Sequence, residues 1–74
     1  MSVTKRVLCI LGEGFEEIEA VTPVDLLRRA GVEVVVASAS AGHHLVGRSN
    51  LRIEADEELF RQSPFEFDML LLPG

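Results

Sequence analysis

The sequence predicts an α/β protein built on a parallel β-sheet. Two apolar runs, one unbroken at residues 7–11 and one at residues 32–37 that only Glu33 interrupts, flank a segment whose apolar residues recur at helical spacing. Continuous apolar runs of this length are typical of strands buried on both faces, and strand, helix and strand in succession form a βαβ unit. A third apolar run at residues 69–72 adds another buried strand.

The helix between the first two strands is predicted to cover residues 15–30. Arg28 and Arg29 lie in its last turn, where cations favour the negative end of the helix dipole, and Gly31 follows as a C-cap. The strand at residues 32–37 comes next. The crossover between the two parallel strands is therefore expected to be right-handed.

The second half of the chain is predicted to hold a hairpin and a short helix before the third strand. Short alternating pieces at residues 45–46 and 51–53 are separated by the turn-forming residues 47–50. An acidic run then opens residues 55–62 ahead of apolar residues, which is typical of a helix start.

The length of 74 residues allows one domain or part of one. Open parallel sheets bind ligands beyond the carboxyl ends of their strands, and this sequence stops at Gly74, directly after the third strand. One long and one short helix are also too few to cover both faces of the sheet. We therefore expect residues 1–74 to be the N-terminal portion of a single domain, its β-α-β-hairpin-β part.

Composition and charge exclude several classes of function. Seven Lys and Arg against twelve Asp and Glu give a net charge of −5, which disfavours binding to nucleic acid or anionic membranes. No apolar run approaches the ~18 residues of a membrane span. The first residues, 1–6, precede only a short apolar stretch, which predicts an uncleaved, cytoplasmic chain. The single cysteine, Cys9, forms no internal disulfide and fits a reducing compartment.

Glu19 is the residue that the helical pattern singles out as a functional candidate. At ~100° per residue its carboxylate falls within the stripe predicted to face the sheet. A buried carboxyl group favours its protonated form and can then donate a hydrogen bond to an anionic neighbour. The predicted stripe consists of Phe15, Ile18, Thr22, Leu26 and Ala30.

Two alternatives remain open for this segment. Pro23 offers no N–H to the carbonyl of Glu19, which predicts a kink in one continuous helix. Alternatively, a new helix begins with Thr22 as N-cap, Pro23 at the first helical position and Asp25 closing a capping box, in which case the stripe no longer applies. Glu19 could also be a helix-start charge that reaches solvent.

The other potential sites carry weaker signals. A dinucleotide fingerprint would require glycine where Glu17 stands, so a nucleotide-binding flavodoxin-like module is the least favoured function. Cys9 lies between apolar residues and is expected to be a buried, inert thiol. No Cys or His elsewhere in the chain completes a metal set with His43 and His44, and no metal is predicted. The acidic run at residues 56–58 is interpreted as a solvated helix start.

Two segments carry a resemblance to a known family. They read L-x-I-L-G-E-G-F-E-E-I-E-A-V-T-P-V-D-L-L-R-R-A-G-V-E-V and, at residues 68–74, D-M-L-L-L-P-G. In them the chain resembles the ThiJ/PfpI superfamily, and within it the Parkinson disease protein 7 branch. The resemblance covers the whole chain and is strongest at residues 7–37 and 68–74. It implies a flavodoxin-like parallel sheet sandwiched by helices, without a cofactor.

The resemblance also implies roles for four residues. Glu19 matches a buried glutamate that hydrogen-bonds the family's reactive cysteine and helps to set its thiolate and sulfinate states. Glu16 matches an acidic residue near the mouth of the same pocket. Gly74 matches the first glycine of a Pro-Gly-Gly turn whose second glycine supplies an oxyanion-hole amide. Arg48 is the candidate for a hairpin arginine that approaches the pocket of the partner subunit.

Two classes of function follow from the resemblance. In the first, a cysteine that would follow Gly74 acts on small reactive carbonyls, as in glyoxalase III-like or deglycase-like chemistry. In the second, the protein is a non-enzymatic oxidative-stress sensor or chaperone, and Glu19 stabilises the oxidised cysteine. In both, the chain is expected to be inactive alone, to require a complementary C-terminal segment of its domain and to form a homodimer.

Overall fold

The structure is a computed structural model that describes residues 4–74. Residues 1–3 lie outside the described residues. They belong to the N-terminal segment that is expected to be uncleaved. The strands are β1 (Arg6–Leu11), β2 (Glu33–Ser38), β3 (His44–Val46), β4 (Arg52–Glu54), β5 (Glu57–Glu58) and β6 (Met69–Leu71). The helix α1 spans Glu17–Arg29, and single 3-10 turns lie at Leu59–Arg61 and Pro64–Glu66.

Four of the strands form the predicted parallel sheet, in the order β5-β2-β1-β6. β1 lies inside the sheet, where Cys9 pairs with Val36 of β2 on one side and with Leu71 of β6 on the other. Successive residues of a strand point to opposite faces of the sheet. On the face toward α1, apolar side chains of β1 and β2 pack against the helix. The opposite face of these two strands is apolar as well, as is typical of a parallel sheet. The prediction of an α/β parallel sheet is confirmed.

The helix α1 is continuous through Pro23, which confirms this alternative over a new start at Thr22. It begins two residues later than predicted, because Glu16 is the N-cap and its Oε1 accepts the N–H of Ile18 at 3.4 Å. After the helix, Gly31 adopts a φ of 87°, a left-handed conformation that glycine tolerates. No helix within residues 4–74 is long and apolar enough to cross a membrane.

The face of α1 that packs against the sheet is not the predicted one. The residues on the packed face are Ala20, Val24 and Leu27. Ile18 and Leu26, assigned to the buried stripe, are 73% and 59% exposed. The helix carries apolar residues on two opposite faces, so the spacing identifies both and cannot choose between them. Glu19 shares the outward face, so the prediction that it faces the sheet is wrong, and the residue is exposed within residues 4–74. The burial beside the family's reactive cysteine that the resemblance implies for it stays a prediction.

The hairpin of β3 and β4 is confirmed, whereas the short helix predicted at residues 55–62 is reduced to the single 3-10 turn at Leu59–Arg61. Oδ2 of Asp56 accepts the N–H of Val36 and a guanidinium N–H of Arg28, both at 2.8 Å. These contacts hold the segment beside β2, so that Glu57–Glu58 extend the sheet as β5. Glu57 and Glu58 thus pair in the sheet instead of opening an α-helix, and Glu58 precedes the 3-10 turn.

Candidate functional site

The residues to which the resemblance assigns roles lie together near the carboxyl ends of strands β1 and β6. β1 and β6 are parallel neighbours, so the segments that follow them emerge side by side. The N–H of Glu16 donates to the carbonyl oxygen of Gly74 at 2.7 Å, and the N–H of Gly74 donates to Oε1 of Glu19 at 3.0 Å. A Cβ at Gly74 would lie 2.5 Å from that oxygen, so a larger residue would push the carboxylate away.

Glu16 connects this point to the hairpin. While its Oε1 caps α1, its Oε2 lies 3.6 Å from Nη1 of Arg48. The Arg48 side chain is 67% exposed, and ion pairs at such exposure contribute at most ~1 kcal/mol to stability. The pair therefore matters for where the arginine lies rather than for how stable the fold is.

Backbone contacts hold the hairpin against the loop that follows β1. The N–H of Gly14 donates to the carbonyl of Val46 at 2.8 Å, and the N–H of Val46 donates to Oε1 of Glu13 at 2.9 Å. Further along, the N–H of Arg48 donates to the carbonyl of Phe15 at 2.9 Å. The last of these contacts is made by Arg48 itself and places it beside Glu16 of the same chain. The approach of Arg48 to the pocket of a partner subunit stays a prediction.

Glu17 is a residue of this region that the sequence reasoning missed. It is the first residue of α1 and only 9% exposed, and its Oε2 accepts the N–H groups of Ser49 at 2.8 Å and Leu51 at 3.2 Å. Its Oε1 is buried and has no hydrogen-bond partner among the described residues. Burial raises the pKa of Glu17, but the N–H donors of Glu17 itself, Leu51 and Ser49 together lower it by more. The pKa therefore lies below the ordinary value.

A signal for Glu17 is present in the spacing of α1. Ala20, Val24 and Leu27 follow it by three, seven and ten residues, which places all four on one face of the helix. The spacing alone does not select this face, because the opposite face of the helix is also apolar and because a glutamate is more often exposed than buried.

Cys9 is buried in the middle of the sheet and is not exposed at all. Burial is the largest influence on its thiol and raises the pKa of Cys9 to about 11, although nearby Arg28 lowers it. A thiol in this position stays protonated and cannot reach a substrate. The predicted burial of Cys9 is confirmed, and its chemical inertness stays a prediction.

The two histidines lie at the start of the hairpin. Nδ1 of His43 is 3.1 Å from the carbonyl oxygen of Ala55, and Nε2 is 3.7 Å from a carboxylate oxygen of Glu58, while His44 begins β3. Within residues 4–74 no group of three or more His, Cys, Asp and Glu side chains is arranged to hold a metal ion.

Comparisons with known proteins identify relatives across nearly the whole chain. The model of the DJ-1/PfpI family matches residues 5–74. An uncharacterized protein of Staphylococcus epidermidis is 35% identical over 72 residues, which are 97% of this chain and 42% of that protein. The chain therefore spans less than half the length of the curated relatives that it matches.

Two solved structures are similar in both sequence and fold. Oxidized Toxoplasma gondii DJ-1 superposes with a TM-score of 0.92 at 35% identity, covering 96% of this chain and 39% of that one. Drosophila melanogaster DJ-1beta superposes with a TM-score of 0.91 at 36% identity, covering 97% and 39%.

Proposed function

Because the chain belongs to the DJ-1/PfpI family, we propose that it is part of a cysteine-dependent protein that acts on small reactive carbonyls, with glyoxalase III-like or deglycase-like chemistry. The reactive cysteine is supplied from outside these 74 residues, since Cys9 is buried in the sheet. The observation that best supports the proposal is the 3.0 Å contact between Glu19 and Gly74. It joins the carboxylate and the backbone turn that the resemblance assigns to one pocket.

The contact with Gly74 limits what Glu19 does chemically. Oε1 accepts the N–H of Gly74, so Oε2 is the oxygen that would face the cysteine. In this proposal the rest of the domain covers the carboxyl group, as the resemblance implies, and a protonated Oε2 donates to the thiolate and stabilises the nucleophilic form of the cysteine. Glu19 therefore acts on the nucleophile in this proposal, and other groups bind the substrate.

Arg48 is the proposed substrate-binding cation: the resemblance implies that it approaches the partner's pocket, whereas its contact with Glu16 favours the mouth of the pocket of its own chain. It lies 3.6 Å from Glu16, beyond hydrogen-bond distance, so its guanidinium donors remain available to an oxygen of a carbonyl substrate. Glu16 keeps the cation at the mouth by charge attraction.

We also propose a cytoplasmic homodimer that buries α1 and the hairpin. On the outward face of α1, Ile18 and Leu26 are 73% and 59% exposed, and Leu51 of the hairpin is 52% exposed. Exposed apolar residues of this kind are typical of surfaces that bind protein. The lone, unpaired thiol of Cys9 is consistent with a reducing compartment.

Thiol alkylation of the full-length protein tests the carbonyl activity. Methylglyoxal consumption is measured before and after treatment with iodoacetamide, and the modified peptides are identified by mass spectrometry. We expect turnover that alkylation abolishes while Cys9 stays unmodified. Turnover that survives complete alkylation of accessible thiols would contradict the cysteine dependence, and absence of turnover with small oxoaldehydes would contradict the carbonyl chemistry.

The second candidate function is a non-enzymatic oxidative-stress sensor or chaperone. It is favoured by the similarity to Toxoplasma gondii DJ-1, whose solved structure is an oxidized form. In this function a protonated Glu19 donates to the sulfinate of the reactive cysteine. Peroxide titration followed by intact mass distinguishes it, because Glu19→Gln should let oxidation pass the sulfinate stage. Identical mass shifts in both proteins would remove the sensor role of Glu19.

A further inference from the structure

The hairpin turn at residues 47–51 depends on the buried carboxylate of Glu17. Within the turn, the N–H of Gly47 donates to the carbonyl of Leu51, and the N–H of Asn50 donates to the carbonyl of Gly47, both at 2.9 Å. The N–H groups of Ser49 and Leu51 instead reach Oε2 of Glu17. One carboxylate oxygen thus satisfies two backbone donors of the turn, and leaving such donors unpaired would cost free energy.

The carboxylate fits beneath the turn because residue 47 is glycine. A Cβ at this position would overlap the Glu17 carboxyl group. Gly47 is not among the glycines with a positive φ, so it is needed for space and not for its backbone conformation. A buried glutamate and a glycine therefore form one complementary contact between α1 and the hairpin.

This contact is not required to start the helix or to attach the hairpin. Glu16 caps α1, and the β3 end of the hairpin is attached separately through Val46, which contacts Gly14 and Glu13. The specific effect of Glu17 is to hold the backbone of the turn at residues 47–51 in place.

Arg48 lies inside that turn, directly between Gly47 and Ser49. A displacement of the turn therefore moves its backbone N–H, which donates to the carbonyl of Phe15, and its guanidinium beside Glu16. Because Glu16 in turn donates to Gly74, a continuous path of contacts connects Glu17 with the candidate site.

We propose that Glu17 is a positioning residue, which fixes Arg48 at the mouth of the site by holding the 47–51 turn. The ligand rests on the proposed function: the Arg48 guanidinium binds the oxygen of a small carbonyl substrate, where negative charge develops. Glu17 touches no substrate. It acts on substrate binding, whereas Glu19 acts on the nucleophile.

A double-mutant cycle in the full-length protein tests this assignment. Methylglyoxal kinetics are measured for the wild type, Glu17→Ala, Arg48→Ala and the double variant. Each single substitution should raise KM roughly tenfold, the effect of losing one charge-assisted contact, and change kcat by less than about twofold. Because Glu17 acts through Arg48, the double variant should be no worse than Arg48→Ala. If the rise in KM of the double variant equals the product of the two single rises, the two residues act independently and the proposal is overturned.

Two further variants separate positioning from general stability. Glu17→Gln keeps an oxygen that accepts from Ser49 and Leu51, so it should restore KM to within about threefold of the wild type. Glu13→Ala is the matched control for Glu17→Ala, because Glu13 also accepts from the hairpin backbone but at Val46, outside the turn. It should leave KM unchanged, and an equal rise in KM in this control would contradict a specific role for Glu17.

The order of the Arg48 side chain gives a readout that does not require turnover. NMR relaxation of its Nε–H group should show reduced order in Glu17→Ala but not in Glu17→Gln or Glu13→Ala. If Glu17→Ala does not fold, Gly47→Ala takes its place, since the added methyl group displaces the carboxylate from the turn. Should no carbonyl be turned over, the proposed function fails, yet this comparison still decides whether Glu17 positions Arg48. Unchanged order in the folded variant overturns the inference.

Discussion

Glu17 is a buried carboxylate whose environment favours its charged form. Burial raises the pKa of Glu17, but the N–H donors around it lower the pKa by more, so that it lies below the ordinary value of a glutamate in an unfolded chain. Between these two pKa values the unfolded chain binds more protons than the folded one, so the free energy of unfolding rises with pH. The contribution of Glu17 is therefore present above about pH 4.3 and is lost as the pH falls through the folded pKa.

Glu17→Gln should accordingly weaken the pH dependence of stability under acid conditions. Urea unfolding of the full-length protein, followed between about pH 3 and pH 6, measures the slope of the unfolding free energy against pH. We expect a shallower slope for the variant, since it has no proton to gain at this position. Parallel curves for the two proteins would show that Glu17 is not held in its charged form.

Cys9 should resist iodoacetamide in the native full-length protein. Burial raises the pKa of Cys9 to about 11 and hides the thiol from the reagent, so both thiolate formation and access are suppressed. Peptide mass spectrometry should find Cys9 labelled only after denaturation. Rapid labelling under native conditions would mean that β1 is not held inside the sheet.

The end of α1 depends on the left-handed conformation of Gly31. No neighbouring atom would contact a Cβ at this position, so Gly31→Ala would suffer from backbone strain alone. We expect a loss of about 1 kcal/mol in the free energy of unfolding, measured by urea denaturation. Gly12→Ala is the matched control, because Gly12 has equally open surroundings and no positive φ. An equal loss in both variants would contradict this explanation.

The elements that the sequence predicts best are those that local pattern determines. Residues 7–11 of β1 and 34–37 of β2 are continuous apolar runs, and a run buried on both faces has few alternatives to an inner parallel strand. β6 is also apolar, but the prediction that it is buried is not met within residues 4–74, where it is the outer strand and half-exposed. The orientation of α1 is different, because its two apolar faces are both compatible with the spacing. Packing against the sheet decides between them, and this tertiary effect is absent from a helical wheel.

The elements and contacts that could not be predicted depend on residues far apart in the chain. β5 forms because Asp56 binds the backbone of Val36, 20 residues away, and the hairpin turn is fixed by Glu17 over 32 residues to Ser49. For the candidate site, the resemblance selected Glu16, Glu19, Arg48 and Gly74, which the structure brings together, and their chemical roles stay predictions.

At the scale of the whole molecule, the described residues leave two apolar surfaces exposed. One is the outward face of α1, with Ile18 and Leu26. The other is β6, whose Met69 and Leu70 are 46% and 48% exposed and which pairs with β1 on one side only. An outer parallel strand with unpaired backbone groups and exposed apolar side chains is a surface onto which further protein packs.

Residues 1–74 expressed alone should therefore not fold cooperatively. Too much apolar surface stays in contact with water, and a sheet with an open apolar edge is prone to association. Urea titration followed by circular dichroism should show a gradual change, and amide NMR signals should be poorly dispersed. A sigmoidal transition together with well-dispersed signals would show that these residues are stable by themselves.

The central claim, that Glu19 acts on a reactive cysteine from its place beside Gly74, is tested most directly by methylglyoxal turnover in three full-length proteins. These are the wild type, Glu19→Gln and Glu19→Leu. Gln keeps an oxygen for the N–H of Gly74 and an N–H donor for the thiolate, whereas Leu removes both. We predict that kcat/KM falls by roughly 100-fold or more for Leu and by no more than about tenfold for Gln. Equal turnover in all three proteins would contradict the claim.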